Sequence, residues 1–147
     1  MLLRWCGAKV GKGVEIFTPS IQGDFDLYIG DHVFIGHEAL LTGANGSSIT
    51  IGNYAKIGTR SILVTGSHKY SIEYPSIAGP GTCESIEISE GASIGTNSII
   101  LPGKKIGFKA HIAAGAVVTK DVPDMVRVAG IPARIIKDFR NEIDKIS

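Results

Sequence analysis

From Ile88 onward, branched aliphatic residues return every six positions, at Ile88, Ile94, Ile100, Ile106, Ile112 and Val118. Four places after each stand Ala92, Ser98, Lys104, Ala110, Ala116 and Val122, with Lys104 the one misfit. The same rhythm runs earlier through Val10 and Ile16, through Ile29, Ile35 and Leu41, and through Ile51, Ile57 and Leu63. Gly30, Gly36, Gly52 and Gly58 follow their aliphatics directly. A helix would need a period of about 3.6 and a half-exposed strand a period of 2. Six is a multiple of two, so each unit reads as a short strand that ends in a turn. Three units make one three-sided coil, and stacked coils place isoleucine over isoleucine. The glycines are expected at corners, supplying backbone conformations closed to larger residues. A β-sandwich would space its strands irregularly, at about 8–12 residues. The pattern therefore predicts an all-β fold: a parallel β-helix of hexapeptide repeats.

Two interruptions break the rhythm. The run Gly43-Ala44-Asn45-Gly46-Ser47-Ser48 adds residues between Leu41 and Ile51. A longer segment, 69–85, holds Tyr70, Tyr74, Pro75 and Pro80 and predicts a protruding loop. Loops inserted in a solenoid commonly lie on its binding face. After Pro123 the rhythm stops, and Ile135, Phe139, Ile143 and Ile146 recur at helical spacing. That spacing predicts a short C-terminal helix packed over the last coil. The chain reads as a single domain over 1–147, with coils at about 8–123 and a cap at 124–147.

Composition agrees. Isoleucine occurs 22 times against 7 leucines, and glycine 19 times in 147 residues, which disfavours a helical bundle. Fifteen basic residues balance 14 acidic ones, so no net field draws nucleic acid or an anionic membrane. No apolar run approaches the ~20 residues of a transmembrane span, and the apolar stretch in Met1–Cys6 is shorter than expected of a secretory h-region. Cys6 and Cys83 make neither a disulfide framework nor a four-ligand zinc site. A cytoplasmic location is the expectation.

The hexad array resembles the hexapeptide-repeat acyltransferases, whose fold is the left-handed β-helix. Three segments carry the resemblance beyond the repeat itself. Ile62-Leu63-Val64-Thr65-Gly66-Ser67-His68 resembles the stretch ending in the family's catalytic histidine. Val117-Val118-Thr119-Lys120-Asp121-Val122-Pro123 resembles its last-coil signature, and Val128-Ala129-Gly130-Ile131-Pro132-Ala133-Arg134-Ile135-Ile136-Lys137 its closing signature. The resemblance implies acetyl transfer from acetyl-CoA to a hydroxyl or amine without a metal. It also implies a homotrimer with active sites between subunits. The opening Leu3-Arg4-Trp5-Cys6-Gly7-Ala8-Lys9-Val10-Gly11 is similar to those of cell-envelope polysaccharide acetyltransferases. A sugar or polysaccharide-precursor O-acetyltransferase follows as the expected function, with a xenobiotic acetyltransferase as the alternative.

His68 is then the expected general base, since an imidazole titrating near neutrality can take a hydroxyl proton as the oxygen attacks a thioester. His37 stands near the place where sugar acetyltransferases carry an asparagine, and could donate to the developing oxyanion. Thr96, Ala114 and Thr119 would run beside the pantetheine arm, with Lys120, Arg134 and Lys137 as cations for the CoA phosphates. Asp24 and Asp26 are candidates for sugar hydroxyls, and Tyr70 and Tyr74 for the acceptor pocket. Cys83 has no base identifiable beside it, so direct transfer in a ternary complex is expected rather than an acyl-cysteine. Two rival readings remain: a catalytically silent scaffold, and a metal lyase resembling the gamma-class carbonic anhydrases, using His32, His37 and His68.

Overall fold

The computed structural model describes residues 7–145; Cys6 and Ile146 lie outside them. The chain winds as a three-sided parallel β-helix, and each side is one ladder of short strands. The first wall is built from Lys9–Val10, Asp26–Ile29, Ser48–Ile51, Ile86–Ile88 and Lys105–Ile106. The second takes Glu15–Ile16, Phe34–Ile35, Lys56–Ile57, Ser93–Ile94, His111–Ile112 and Val126–Ala129. The third takes Ser20–Gly23, Leu40–Gly43, Ile62–Val64, Ile99–Ile100 and Val117–Val118. Register is in phase with the hexads: Leu41, Leu63, Ile100 and Val118 pair in one column, and Ile35, Ile57, Ile94 and Ile112 in another. All eight are essentially buried. Each buried aliphatic contributes roughly 1.5–3 kcal/mol.

The corners obey two rules. Where the first wall meets the second, one residue of positive φ recurs in each coil, at Gly13, His32, Tyr54, Gly91, Lys109 and Met125. Where the second meets the third, it recurs at Thr18, Glu38, Arg60, Asn97 and Gly115. Gly30, Gly36, Gly52 and Gly58 sit two places before the strained residue, and none has a positive φ. Their role differs from the expected one. A Cβ on Gly58 would lie 2.7 Å from both the Ile94 carbonyl oxygen and the Thr96 nitrogen. These glycines let one coil lie against the next.

The third edge, between the third and first walls, behaves differently. Both interruptions fall there, and so does Lys104, which is only half-buried. The turn before Lys104 is as tight as the others, with Gly103 at positive φ, but the Lys104 side chain remains partly exposed rather than entering the core. The 69–85 segment is an ordered antiparallel hairpin of Gly66–Tyr70 against Ala78–Cys83.

At the C-terminus, Arg134–Asp138 forms a strand antiparallel to Val126–Ala129, leaving Ile135 and Ile136 exposed. Among the described residues, helical geometry is confined to a 3-10 element at Arg140–Lys145. The 3–4 spacing of Ile135 and Phe139 thus spans a strand and the turn after it. Backbone pairing along an open ladder edge outweighed the side-chain period. No helix among the described residues is long and apolar enough to cross a membrane.

Candidate active site

The hairpin leaves the third wall immediately after Ile62–Val64 and presents His68 on its outer face. His68 Nδ1 lies 2.9 Å from the Gly79 carbonyl oxygen. A carbonyl can only accept, so Nδ1 carries the hydrogen and the Nε2 lone pair is left available to take a proton. Beside the imidazole is a groove of about 520 Å³ lined by Ala44, Asn45, Gly66, Ser67, Gly81, Thr82 and Cys83.

Both interruptions build this groove, and a ring of hydrogen bonds fastens one to the other. The Ser47 hydroxyl donates to the Ala44 carbonyl oxygen at 2.6 Å. The Ala44 N–H donates to Thr65 Oγ1 at 3.3 Å. The 2.6 Å contact between Ser47 and Thr65 must then be donated by Thr65. Thr65 is fully buried and Ser47 nearly so. Across the groove mouth, Cys83 Sγ donates to the Asn45 carbonyl oxygen at 3.4 Å.

Further along the same edge is a second groove of about 380 Å³, whose lining includes Lys120, Asp121, Pro123 and Arg134. Two coil steps separate its wall strand from that of His68, about 10 Å. Two of the three expected phosphate-binding cations are brought together there, with Thr119 adjoining. Lys137 is engaged elsewhere: its ammonium pairs with Glu142 at 3.1 Å and lies 4.6 Å from the Phe139 ring centroid.

Other candidates stand on the second edge. Thr96 and Ala114 occupy successive corners between the second and third walls, and His37 a corner of the same stack. His37 Nδ1 lies 3.2 Å from Thr18 Oγ1, and its ring leans on Phe17. Next to it, Glu38 meets Arg60 at 2.5 Å, a hydrogen bond and charge that hold the Glu38 carboxyl below its usual range. One chain therefore does not bring His37 to His68, because the third wall lies between them. His32 stacks on Tyr54 at the first edge, so the three histidines of the metal reading occupy three different edges. Among the described residues, no group of three or more His, Cys, Asp or Glu is placed to hold a metal ion.

Asp24 lies on the third edge and Asp26 opens a first-wall strand; both are exposed, and neither lines the His68 groove. Tyr70 is 68% exposed. Tyr74 turns back on the hairpin, and its ring lies against Gly79. Asn45, Ser67 and Thr82 were not among the expected site residues, and Cys83, set aside as an acyl carrier, lines the same groove. A signal was present: counting hexads in threes puts both interruptions after the third strand of a coil, hence on one edge.

No family model matches the chain. Over 139 residues it is 33% identical to the "Putative colanic acid biosynthesis acetyltransferase WcaF" of Escherichia coli K12, spanning 93% of this chain and 72% of that protein. A galactoside acetyltransferase solved in complex with coenzyme A superposes with a TM-score of 0.75 at 27% identity, over 92% of this chain and 67% of that one. The hexapeptide-repeat-containing acetyltransferase VCA0836 of Vibrio cholerae, solved with acetyl-coenzyme A, superposes with a TM-score of 0.61 at 30% identity, over 88% and 72%.

Proposed function

The chain belongs to the hexapeptide-repeat acetyltransferases of left-handed β-helix fold, and we propose that it moves the acetyl group of acetyl-CoA onto a hydroxyl of a sugar or cell-envelope polysaccharide precursor. It is an acyltransferase, with acetyl-CoA as its co-substrate. The acceptor class draws on the colanic acid and galactoside relatives. The observation that carries the chemistry is the His68 imidazole, tied through Nδ1 to Gly79 and left basic at Nε2, at the mouth of a groove.

In the proposed reaction Nε2 takes the acceptor's hydroxyl proton as the oxygen attacks the thioester carbonyl. The tetrahedral adduct collapses with cleavage of the C–S bond, and the imidazolium returns its proton to the departing CoA thiolate. The ester and free CoA are the products. Lys120 and Arg134 supply charge-assisted hydrogen bonds to CoA phosphates. The acceptor enters beside Asn45, Ser67 and Thr82.

The division of candidates between two edges supports a three-fold assembly. Ser20, Gln22 and Thr42 face outward at one end of the third wall, but the rest of that face is apolar and half-buried: Leu40, Ile62, Val64, Ile99 and Val117. The first wall presents Lys9, Glu87 and Lys105 instead, and the second Glu15, Lys56 and Arg127. Closing three copies around the apolar walls sets the His68 edge of one beside the His37, Thr96 and Ala114 edge of the next. Acetyl-CoA would then lie between subunits, and His37 would be a neighbour's contribution to the oxyanion.

The test is turnover of purified protein by CoA thiol release, with nucleotide sugars and oligosaccharides against chloramphenicol and streptogramins. His68→Ala should lower kcat by about 10²–10⁴ without altering the fold, since the side chain is exposed. Fast drug acetylation with inert sugars would overturn the acceptor class. A pre-steady-state burst of acetyl-enzyme would overturn direct transfer.

A further inference from the structure

We propose that Tyr74 is a positioning residue for His68: its ring, laid on Gly79, keeps the Gly79 carbonyl against Nδ1 and so fixes the imidazole with Nε2 free. The inference rests on reading His68 as the base. It begins with an irregularity in the hairpin. His68 pairs with Gly81 and Tyr70 with Ala78, so Lys69 alone opposes both Gly79 and Pro80. A bulge bends its strand and re-aims the groups within it. Pro80 has no N–H to place in a regular ladder. The bulge directs the Gly79 carbonyl oxygen to the His68 ring, 2.9 Å away.

Tyr74 holds that bulge down. A Cβ built on Gly79 would fall 2.2 Å from Cδ2 and Cε2 of Tyr74, so the ring touches a surface only glycine leaves open. The turn carrying Tyr74 is organised locally: the Tyr74 N–H donates to the Ser71 carbonyl oxygen at 3.4 Å, and the Glu73 N–H to Ser71 Oγ at 3.2 Å. Neighbouring large residues of the tip point outward, with Ile72 92% and Ile77 60% exposed. Tyr74, in contrast, is half-buried, with its ring laid on the bulge. The hydrogen bond made by one imidazole nitrogen sets which nitrogen carries the proton. With Gly79 released, His68 samples the tautomer whose Nε2 bears hydrogen and cannot accept. One net hydrogen bond changes that ratio roughly five- to tenfold.

The experiment compares full-length wild type, Tyr74→Ala, Tyr74→Phe, Gly79→Ala and His68→Gln by steady-state kinetics and by 15N-detected imidazole spectra. Tyr74→Ala and Gly79→Ala should lower kcat roughly five- to tenfold, leave KM for acetyl-CoA unchanged, and move the His68 signals from one Nδ1–H tautomer to a mixture. Tyr74→Phe should restore both readouts. If Tyr74→Ala does not fold, Tyr74→Leu takes its place. An unshifted His68 spectrum in the Ala and Leu variants overturns the inference, as does a raised acceptor KM at wild-type kcat. Failure of Tyr74→Phe to rescue also overturns it. Full activity of His68→Gln would instead overturn the base assignment, and the spectra would still decide the role of Tyr74.

Discussion

Replacing Thr65 by valine tests the ring of hydrogen bonds beneath the groove. Valine nearly matches threonine in shape, so packing in the fully buried site is conserved and the hydroxyl alone is lost. Two partners are affected. The Ala44 N–H loses its 3.3 Å acceptor, and Ser47 Oγ loses the donor at 2.6 Å while still donating to the Ala44 carbonyl. A buried polar group left unsatisfied costs about 1–3 kcal/mol, and the added methyl returns up to about 0.8. From the middle of the first range the net is about 1–2 kcal/mol. For a domain of this length that lowers Tm by roughly 3–7 °C. The scan must hold protein concentration fixed, because assembly would contribute to Tm.

Ser98→Ala provides the comparison. Its hydroxyl donates to the Ala113 carbonyl oxygen at 3.0 Å, but that oxygen also accepts from the Ala116 N–H at 3.2 Å. Nothing is orphaned, so Ser98→Ala should cost under about 1 kcal/mol. Thr65→Val should also raise acceptor KM, because Ala44 and Asn45 line the groove. Equal Tm values for the two variants, with acceptor KM unchanged, would refute the reasoning.

Lys120→Ala and Arg134→Ala should each raise KM for acetyl-CoA and flatten its dependence on salt, whereas Lys137→Ala, whose ammonium already faces Glu142, should do so less. Ile99→Asp, on the outer face of the third wall, should yield a folded monomer by light scattering with little activity. Gly58→Ala should destabilise by about 1–3 kcal/mol in denaturant, because the new methyl would meet backbone atoms of the next coil at 2.7 Å. Burial first, and the Arg127 charge second, lower the His111 pKa from 6.5, so below about that pH the unfolded chain binds more protons than the folded one. Stability should therefore fall as pH drops through the unfolded value and level off below the folded one, and His111→Gln should remove that component.

The amino-acid sequence alone settled the architecture. A period of six is incompatible with a helix and commensurate with strands, so side-chain alternation determines which residues face inward, and every hexad aliphatic from Ile29 to Val118 is in the core. His68 could be picked out as a candidate in the same way, because its motif is local and stands beside the longest interruption. Folding decided what depends on residues far apart in the chain. That the 43–48 run and the 66–83 hairpin share one edge, and that Lys120 and Arg134 line one groove while Lys137 turns to Glu142, follow from how coils stack. The exchange of an expected helix for a strand at Arg134–Asp138 has the same origin, since the open ladder beside Val126–Ala129 offers backbone bonds that no local period records. A repeat specifies its rungs one at a time; an edge exists only once the rungs are stacked.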